Sequence, residues 1–236
     1  MLLPAQEIRR RALAGELGIV DPDLIQPASI DLRLGGDFLR YPQNDTDQII
    51  LGERPAAMLH VEESRINVRG EILHGTWLYP GQFILARTKE RVVVPTDLAG
   101  QIHGRSSVGR LGLIVHVTAG WIDPGFDGTI TLEMVNLGGR SIFLTIGVPV
   151  CTLSFYQLTE HTEMPYQGRY QYQTYTTPSR LYEGAQHGQD FDADDRPAPP
   201  RGSLGGQALL RSTDVYGGSR APGADGPLVA TGSKND

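Results

Sequence analysis

Residues 123–136 read Asp123-Pro124-Gly125-Phe126-Asp127-Gly128-Thr129-Ile130-Thr131-Leu132-Glu133-Met134-Val135-Asn136. Proline, aspartate and glycine dominate the first six positions and are typical of a turn. In the positions that follow, alternation places Leu132 and Met134 on one face of a strand and Thr131 and Glu133 on the other. A turn that leads into a half-apolar strand is typical of an antiparallel sheet.

Glu133 lies in the middle of this strand, and its role depends on what its face of the sheet meets. If that face lies in water, Glu133 is a solvated surface carboxylate. If that face lines a pocket, the carboxylate is a credible general base. The residues of the strand leave both interpretations open.

Short apolar and β-branched runs with glycine or proline between them recur on both sides of this segment. The predicted strands are Ser29–Leu34, Gln82–Arg87, Arg91–Val94, Leu113–Val117, Thr129–Asn136, Ser141–Ile146 and Val150–Gln157. One helix is predicted from Pro4 to Ala14, because proline lies in its first turn and Gly15 follows its last residue. Short strands in this number with a single helix predict an all-β sandwich or barrel.

The composition changes near the end of the chain. From residue 183 to residue 236 the sequence is rich in glycine, proline and serine and poor in aromatic residues. Such a segment buries too little apolar area to offset its loss of conformational entropy on folding. We therefore expect one folded domain over residues 1–182 and a flexible tail over 183–236, which is either an inert extension or a partner-binding peptide.

The overall composition excludes several classes of function. The 236-residue chain has a formal net charge of −6, which gives no electrostatic reason to expect a nucleic acid or an anionic membrane as partner. Cys151 is the single cysteine, which excludes an internal disulfide and the thiolate pair of the zinc deaminases. There is no apolar run of about 18 residues and no signal peptide, so the expected location is the cytoplasm.

Residues 104–112 concentrate arginine, serine and glycine and read Gly104-Arg105-Ser106-Ser107-Val108-Gly109-Arg110-Leu111-Gly112. Glycine lets backbone N–H groups approach an anion, hydroxyls add donors, and guanidinium groups bind phosphate. The segment is therefore a candidate phosphate-binding loop, although a glycine-rich surface turn with solvated arginines has the same composition. It lacks the Gly-Lys-Ser/Thr ending of a P-loop.

Three segments in order, residues 104–113, 115–119 and 122–133, resemble the signature of the dCTP deaminase family, whose relatives include the trimeric dUTPases. Residues 26–35 are similar to the N-terminal motif of that family. Tyr170 and Gln173, together with residues 178–180, are similar to its C-terminal motif. The resemblance covers residues 1–182.

The resemblance implies a distorted jelly-roll β-barrel of the dUTPase-like type, with a short N-terminal helix and a homotrimer whose sites lie between subunits. It also implies deamination of dCTP by Glu133 as a proton shuttle, with Ser106, Arg110 and the backbone of Ala119 positioning the attacking water. Magnesium would be bound through the triphosphate, and neither zinc nor a metal site of the protein's own is implied.

The resemblance assigns the substrate-binding residues by position. The implied set is Arg105, Ser106, Ser107, Val108, Gly109 and Arg110 for the triphosphate, Asp123 for the sugar, Thr131, Leu132 and Glu133 for the pyrimidine, and Tyr166, Arg169 and Gln173 as a cover. Arg169 stands where the family usually has lysine. No role is assigned to Thr152, where some members have glutamine.

Ala119 and Gly120 bear on the product. Members of the family that release dUTP typically have histidine after this alanine, whereas the bifunctional members, which form dUMP and pyrophosphate, have glycine followed by an aromatic residue, as Gly120 and Trp121 are here. We therefore expect dUMP, a precursor of dTMP. The alternatives are a deaminase that releases dUTP, a dUTPase-like hydrolase and a non-catalytic nucleotide sensor; dTTP is a candidate feedback inhibitor.

Overall fold

The computed structural model describes residues 1–19, 21–42, 48–51 and 54–184, so residues 185–236 of the predicted tail lie outside the described residues. The helices are α1 (Ala5–Leu13) and α2 (Ser106–Gly109), with short 3-10 turns at Pro22–Leu24 and Leu181–Gly184. The strands are β1 (Ile25–Gln26), β2 (Ser29–Arg33), β3 (Leu39–Arg40), β4 (Leu59–His60), β5 (Ser64–Val68), β6 (Glu71–Leu78), β7 (Phe83–Val93), β8 (Leu98–Gly104), β9 (Leu113–Ile114), β10 (Trp121–Ile122), β11 (Asp127–Asn136), β12 (Ile142–Thr145) and β13 (Pro149–Gln157). No described helix is long and apolar enough to cross a membrane.

The strands form two five-stranded sheets and one three-stranded sheet. The order in the first is β1-β2-β13-β8-β10, in the second β4-β3-β7-β11-β9, and in the third β12-β6-β5. All strand pairs in the sheets are antiparallel. Strands distant in sequence are neighbours in the sheets, as in a distorted jelly-roll barrel, and the all-β prediction is confirmed.

The inner faces of the two larger sheets share one hydrophobic core. Ile30 and Phe155 come from the first sheet and Leu132 and Met134 from the second, and all four are fully buried. In β11, buried residues alternate with half-buried Thr131, Glu133 and Val135, as its sequence predicts. The core therefore fixes which face of β11 points outward.

Four predicted strands are confirmed to within two residues, namely those at Ser29–Leu34, Thr129–Asn136, Ser141–Ile146 and Val150–Gln157. The break predicted between residues 87 and 91 is wrong. Residues 83–93 form one strand, because Thr88 and Glu90 are buried beside an exposed Lys89 and continue the alternation. The strand predicted over Leu113–Val117 pairs only at Leu113–Ile114.

The N-terminal segment is fastened to the last strand. The backbone N–H of Leu3 donates to the carbonyl of Phe155 at 2.9 Å, and Leu2 forms an isolated bridge with Tyr156. Helix α1 follows, as predicted, with Pro4 at its N-cap. It is held to the barrel by Arg11, whose guanidinium donates to both carboxylate oxygens of Asp97 at 3.1 and 2.6 Å.

Candidate active site

A cavity of about 450 Å³ opens beside the outer face of β11. A volume of this size is typical of small-molecule sites. Its lining combines aromatic and aliphatic side chains with two carboxylates and several hydroxyl and amide groups. The lining residues are Tyr41, Phe83, Leu85, Ala119, Trp121, Ile122, Asp123, Phe126, Ile130, Thr131, Glu133, Tyr166, Tyr170, Gln173, Thr177 and Ser179.

Strand β11 presents Thr131 and Glu133 to this cavity. In the pairing with β7, Glu133 lies opposite Leu85, a buried residue that lines the same cavity. One carboxylate oxygen of Glu133 accepts a long hydrogen bond from the backbone N–H of Val117 at 3.4 Å. The face that carries Glu133 therefore meets a cavity with an apolar wall rather than open solvent.

The segment at residues 165–180, here named the strap, runs along the turn before β11 and the first half of that strand. The side-chain amide of Gln173 donates to the carbonyl of Thr129 at 2.6 Å, and the carbonyl of Gln173 accepts from the Thr129 N–H at 2.9 Å. The ring of Tyr166 lies 5.9 Å from that of Phe126. Tyr166 and Gln173 thus cover the cavity in the same chain that supplies Glu133.

Two glycines, in the turn before β11 and at the start of that strand, allow the strap to pack closely against the barrel. A Cβ atom on Gly125, whose φ is +91°, would lie 2.7 Å from Cβ of Pro165. A Cβ atom on Gly128 would lie 2.9 Å from the carbonyl oxygen of Gln173. Both distances are shorter than side-chain packing permits, so any larger residue in either position would push the strap away.

The candidate phosphate-binding loop lies outside the cavity lining. Residues 106–109 form the single turn α2, and Arg110 Nε donates to Ser106 Oγ at 3.2 Å. Ser106, Ser107, Gly109 and Arg110 are exposed. In the described part of the chain, the cavity lining contains neither arginine nor lysine.

Arg105 is engaged within its own chain. Its guanidinium donates to the carbonyl of Pro149 at 3.1 Å and forms an ion pair with Asp31 at 3.1 Å. Burial raises the pKa of the Asp31 carboxyl, and the charge of Arg105 opposes that shift. Arg105 therefore anchors the start of the loop and has fewer free donors than Arg110.

Ala119 lines the cavity, and Gly120 is buried directly behind it. Gly120 does not have a positive φ, so glycine is not required there for its conformational freedom. A Cβ atom on Gly120 would lie 2.9 Å from both His116 Cε1 and the carbonyl oxygen of Ile102. The position requires glycine because neighbouring atoms approach it closely.

Other predicted residues are not brought to the cavity. The side chain of Leu132 is fully buried in the core, which leaves only its backbone for a ligand. Val108 packs against the core, and Arg169 is an exposed strap residue whose carbonyl accepts from Arg180. Within the described residues, no group of three or more His, Cys, Asp or Glu side chains is arranged to hold a metal ion.

Sequence reasoning missed most of the apolar lining. Phe83 and Leu85 reach the cavity because β7 pairs with β11 over its whole length, and Tyr41 follows β3 on the other side of β7. Burial raises the pKa of the Tyr41 phenol. The one signal in the sequence was the alternation of residues 82–87, which indicates a strand without indicating its partner.

Residues 2–158 match a protein-family model described as dCTP deaminase-like. The dCTP deaminase of Natronomonas pharaonis is 40% identical over 198 residues, which cover 80% of this chain and all of that protein. The dUMP-forming dCTP deaminase of Persephonella marina is 42% identical over 184 residues, covering 77% of this chain and 98% of that protein. Relatives named dCTP deaminase and relatives named dUMP-forming dCTP deaminase are thus about equally similar to this chain.

Among solved structures, the 2'-deoxycytidine 5'-triphosphate deaminase from Agrobacterium tumefaciens aligns with a TM-score of 0.49 and 23% identity, over 65% of this chain and 46% of that chain. The family model spans well over half of the sequence, and the similarity to the curated relatives extends over most of the chain. The chain belongs to the dCTP deaminase-like family.

Proposed function

We propose that this protein deaminates dCTP at C4 of the cytosine ring and also cleaves the triphosphate, so that its products are dUMP, pyrophosphate and ammonia. The observation that carries the proposal is the position of Glu133, a half-buried carboxylate on a rigid central strand that lines a nucleotide-sized cavity. The names of the similar proteins supply the substrate class.

Deamination requires one water molecule and a carboxylate that can accept and return protons. Glu133 takes a proton from the water, whose oxygen bonds to C4, and delivers that proton to N3. A second proton moves from the new hydroxyl group to the 4-amino group through the same carboxylate. The C4–N bond then breaks, ammonia leaves and the C4 carbonyl remains, so dCTP and water give dUTP and ammonia.

Cleavage of the triphosphate requires a second water molecule at the α-phosphorus. Its oxygen bonds to phosphorus while the bond to the α,β-bridging oxygen breaks, a proton of the water passes to solvent, and pyrophosphate leaves. The proposed place for this water is beside Ala119, where Gly120 adds no side chain. Magnesium bound to phosphate oxygens would neutralise charge on the triphosphate.

The distribution of charge supports sites shared between subunits of a homotrimer. A triphosphate needs cationic partners, and the described lining has none from its own chain. Ser106 and Arg110 are exposed, as a loop that serves another subunit must be. In this arrangement Asp123 meets the sugar, Thr131 and Glu133 meet the base, and Tyr166, Arg169 and Gln173 close over the nucleotide; dTTP, with the same sugar and triphosphate, would compete.

The products identify the reaction directly. Purified protein is incubated with dCTP and magnesium, and dUTP, dUMP and pyrophosphate are separated by chromatography at several times. We expect dUMP and pyrophosphate with little free dUTP throughout. Accumulation of dUTP at early and late times would assign the protein to the deaminases without the second step, and unchanged dCTP would reject deamination.

Mixed oligomers test the shared site. The Glu133→Gln and Arg110→Ala variants are each expected to be inactive alone, because each lacks one half of every site. After joint denaturation and refolding, mixed trimers contain some sites with both native halves, so activity should return. Mixtures that stay inactive, with each parent variant correctly assembled, would show that both residues act from one chain.

A further inference from the structure

We propose that Asp37 is a positioning residue that holds the strap closed over the cavity, and that substrate affinity depends on this clamp. The inference rests on the proposed function for its kinetic consequence and on geometry alone for the clamp. Asp37 lies in the connection between β2 and β3, and the strap residue that it holds, Thr176, is 139 positions away.

Two hydrogen bonds between Asp37 and Thr176 form the contact that is named the clamp here. One carboxylate oxygen of Asp37 accepts from the backbone N–H of Thr176 at 2.7 Å, and the carbonyl oxygen of Asp37 accepts from the Thr176 hydroxyl at 2.6 Å. Thr176 is 5% exposed, whereas its neighbour Tyr175 is 73% exposed. The strap is thus drawn into the protein at this point.

The clamp acts next to residues that line the cavity. The N–H of Thr177 donates to the Thr131 hydroxyl at 3.3 Å, and both Thr177 and Ser179 line the cavity. That bond is long, and a single long bond between neutral groups holds a segment weakly. A short bond from an N–H group to a carboxylate is stronger. Asp37 is therefore the contact that sets the position of Thr177 and Ser179.

Asp37 belongs to a different segment of the barrel, the connection between β2 and β3, than the residues that hold the upstream part of the strap. Gln171, Tyr172 and Gln173 bond to Gly125, Asp127 and Thr129, which belong to the turn and the start of β11. Those contacts fix the upstream part of the strap. Downstream of residue 175, Thr177 makes its long bond to Thr131, and Arg180 bonds back to Tyr170 and Arg169 within the strap itself. The clamp adds the short bonds that hold this part to the barrel.

Three variants separate the contributions of the clamp. Asp37→Ala removes both carboxylate oxygens, Asp37→Asn keeps one side-chain oxygen as an acceptor, and Thr176→Val keeps the N–H but loses the hydroxyl. Asp23→Ala, at an exposed residue within the short 3-10 turn Pro22–Leu24, is the matched control. Each protein is assayed with dCTP for KM and kcat, and backbone amide exchange is measured without ligand.

We expect Asp37→Ala to raise KM about tenfold while kcat changes less than about twofold, because only the fraction of molecules with a closed strap binds substrate. Amide exchange at Thr176 and Thr177 should be about tenfold faster, with Met134 in β11 unchanged. Asp37→Asn should give an intermediate change, because its side-chain oxygen still accepts a hydrogen bond but carries no charge. Thr176→Val should also give a smaller change than Asp37→Ala in the same direction, and Asp23→Ala should give none.

Unchanged exchange at Thr176 in Asp37→Ala would overturn the clamp. Faster exchange with an unchanged KM would overturn its role in binding. If the native protein does not convert dCTP, the proposed function fails, and the exchange measurement still decides whether Asp37 holds the strap.

Discussion

Glu133 shows how one residue obtains both a fixed position and access to a ligand. Its neighbours Leu132 and Met134 are fully buried, so the backbone of β11 cannot shift without opening the core. Its own side chain points to the opposite face, where Leu85 and Thr131 border the cavity. A carboxylate held this way needs little reorganisation to act on a bound base.

Replacement of Glu133 by glutamine should abolish deamination without abolishing nucleotide binding. The amide keeps the shape of the side chain and loses its capacity to accept and return a proton. We expect kcat to fall by about 10²- to 10⁴-fold, the usual contribution of general acid–base catalysis. Ammonia release measures turnover, and calorimetry measures dCTP affinity. Glu160→Gln, at an exposed site, is the control, and turnover of Glu133→Gln within tenfold of the parent would contradict the role.

Replacement of Gly120 by histidine should separate the two proposed reactions. The added Cβ would meet His116 and the Ile102 carbonyl at 2.9 Å, so the backbone beside Ala119 must move. We expect triphosphate cleavage to fall at least about tenfold more than deamination, a difference of about 1.4 kcal/mol in activation free energy. The measured quantity is the ratio of dUTP to dUMP. Gly139→His, where nothing lies within 4 Å of an added Cβ, should leave that ratio unchanged.

The sequence predicts the polar part of the site better than its walls. Alternation along β11 places Thr131 and Glu133 on one face, and the family resemblance adds Asp123 from the turn before that strand; all three line the cavity. Tyr41 and Leu85 reach the cavity only through strand pairs between distant segments, which alternation does not specify. The reason for Gly120 was also missed, because close contact with His116 depends on tertiary packing.

At the scale of strands, glycine explains two of the elements that the sequence analysis missed, β6 and β8. Strand β6 contains Gly75, where a Cβ would lie 2.0 Å from the carbonyl oxygen of Leu144, and β8 contains Gly100, packed against Leu153 and Ile122. Read along the sequence, these glycines indicate turns. In the fold they allow another chain segment to approach, which a residue-by-residue pattern cannot distinguish from a turn.

At the same scale, the contact between α1 and the barrel predicts a pH-dependent stability. The hydrogen bond from Arg11 holds the pKa of Asp97 below its ordinary value of 3.8, so the pair stabilises the fold fully above that value. The stabilisation is lost as the pH falls through the lower pKa of the folded state. Asp97→Asn should lower the free energy of unfolding at pH 7 by about 2–4 kcal/mol, because Arg11 stays buried with weaker partners.

Urea denaturation of the Asp97→Asn variant and the parent, at pH 7 and at pH values below 3.8, measures this effect. The two stabilities should converge as the pH falls, since protonation removes the ion pair from the parent as well. Asp23→Asn, at an exposed residue, is the control. Parallel stability curves at all pH values would show that Asp97 is not the titrating group.

At the scale of the whole molecule, the domain boundary predicted near residue 182 can be tested by truncation. Deletion of residues 184–236 should leave the activity and the number of chains in the oligomer unchanged. The composition of that segment offers little apolar area for a core or an interface. Light scattering should give a full-length mass three times the 25.7 kDa of one chain. A monomeric truncation would assign the segment a part in assembly, and an inactive truncation of unchanged assembly would assign it a part in the reaction.

The pairing of the N-terminal segment with the last strand determines when the domain can form during synthesis. Strand β13 lies between β2 and β8 at the centre of its sheet, and it also receives Leu3 through Phe155. Until residue 157 has left the ribosome, β2 and β8 have no neighbour between them and both present unpaired backbone groups. Because these contacts join the two ends of the domain, the first sheet cannot be completed before residue 157 has emerged, and the nascent chain depends on protection of those edges until then.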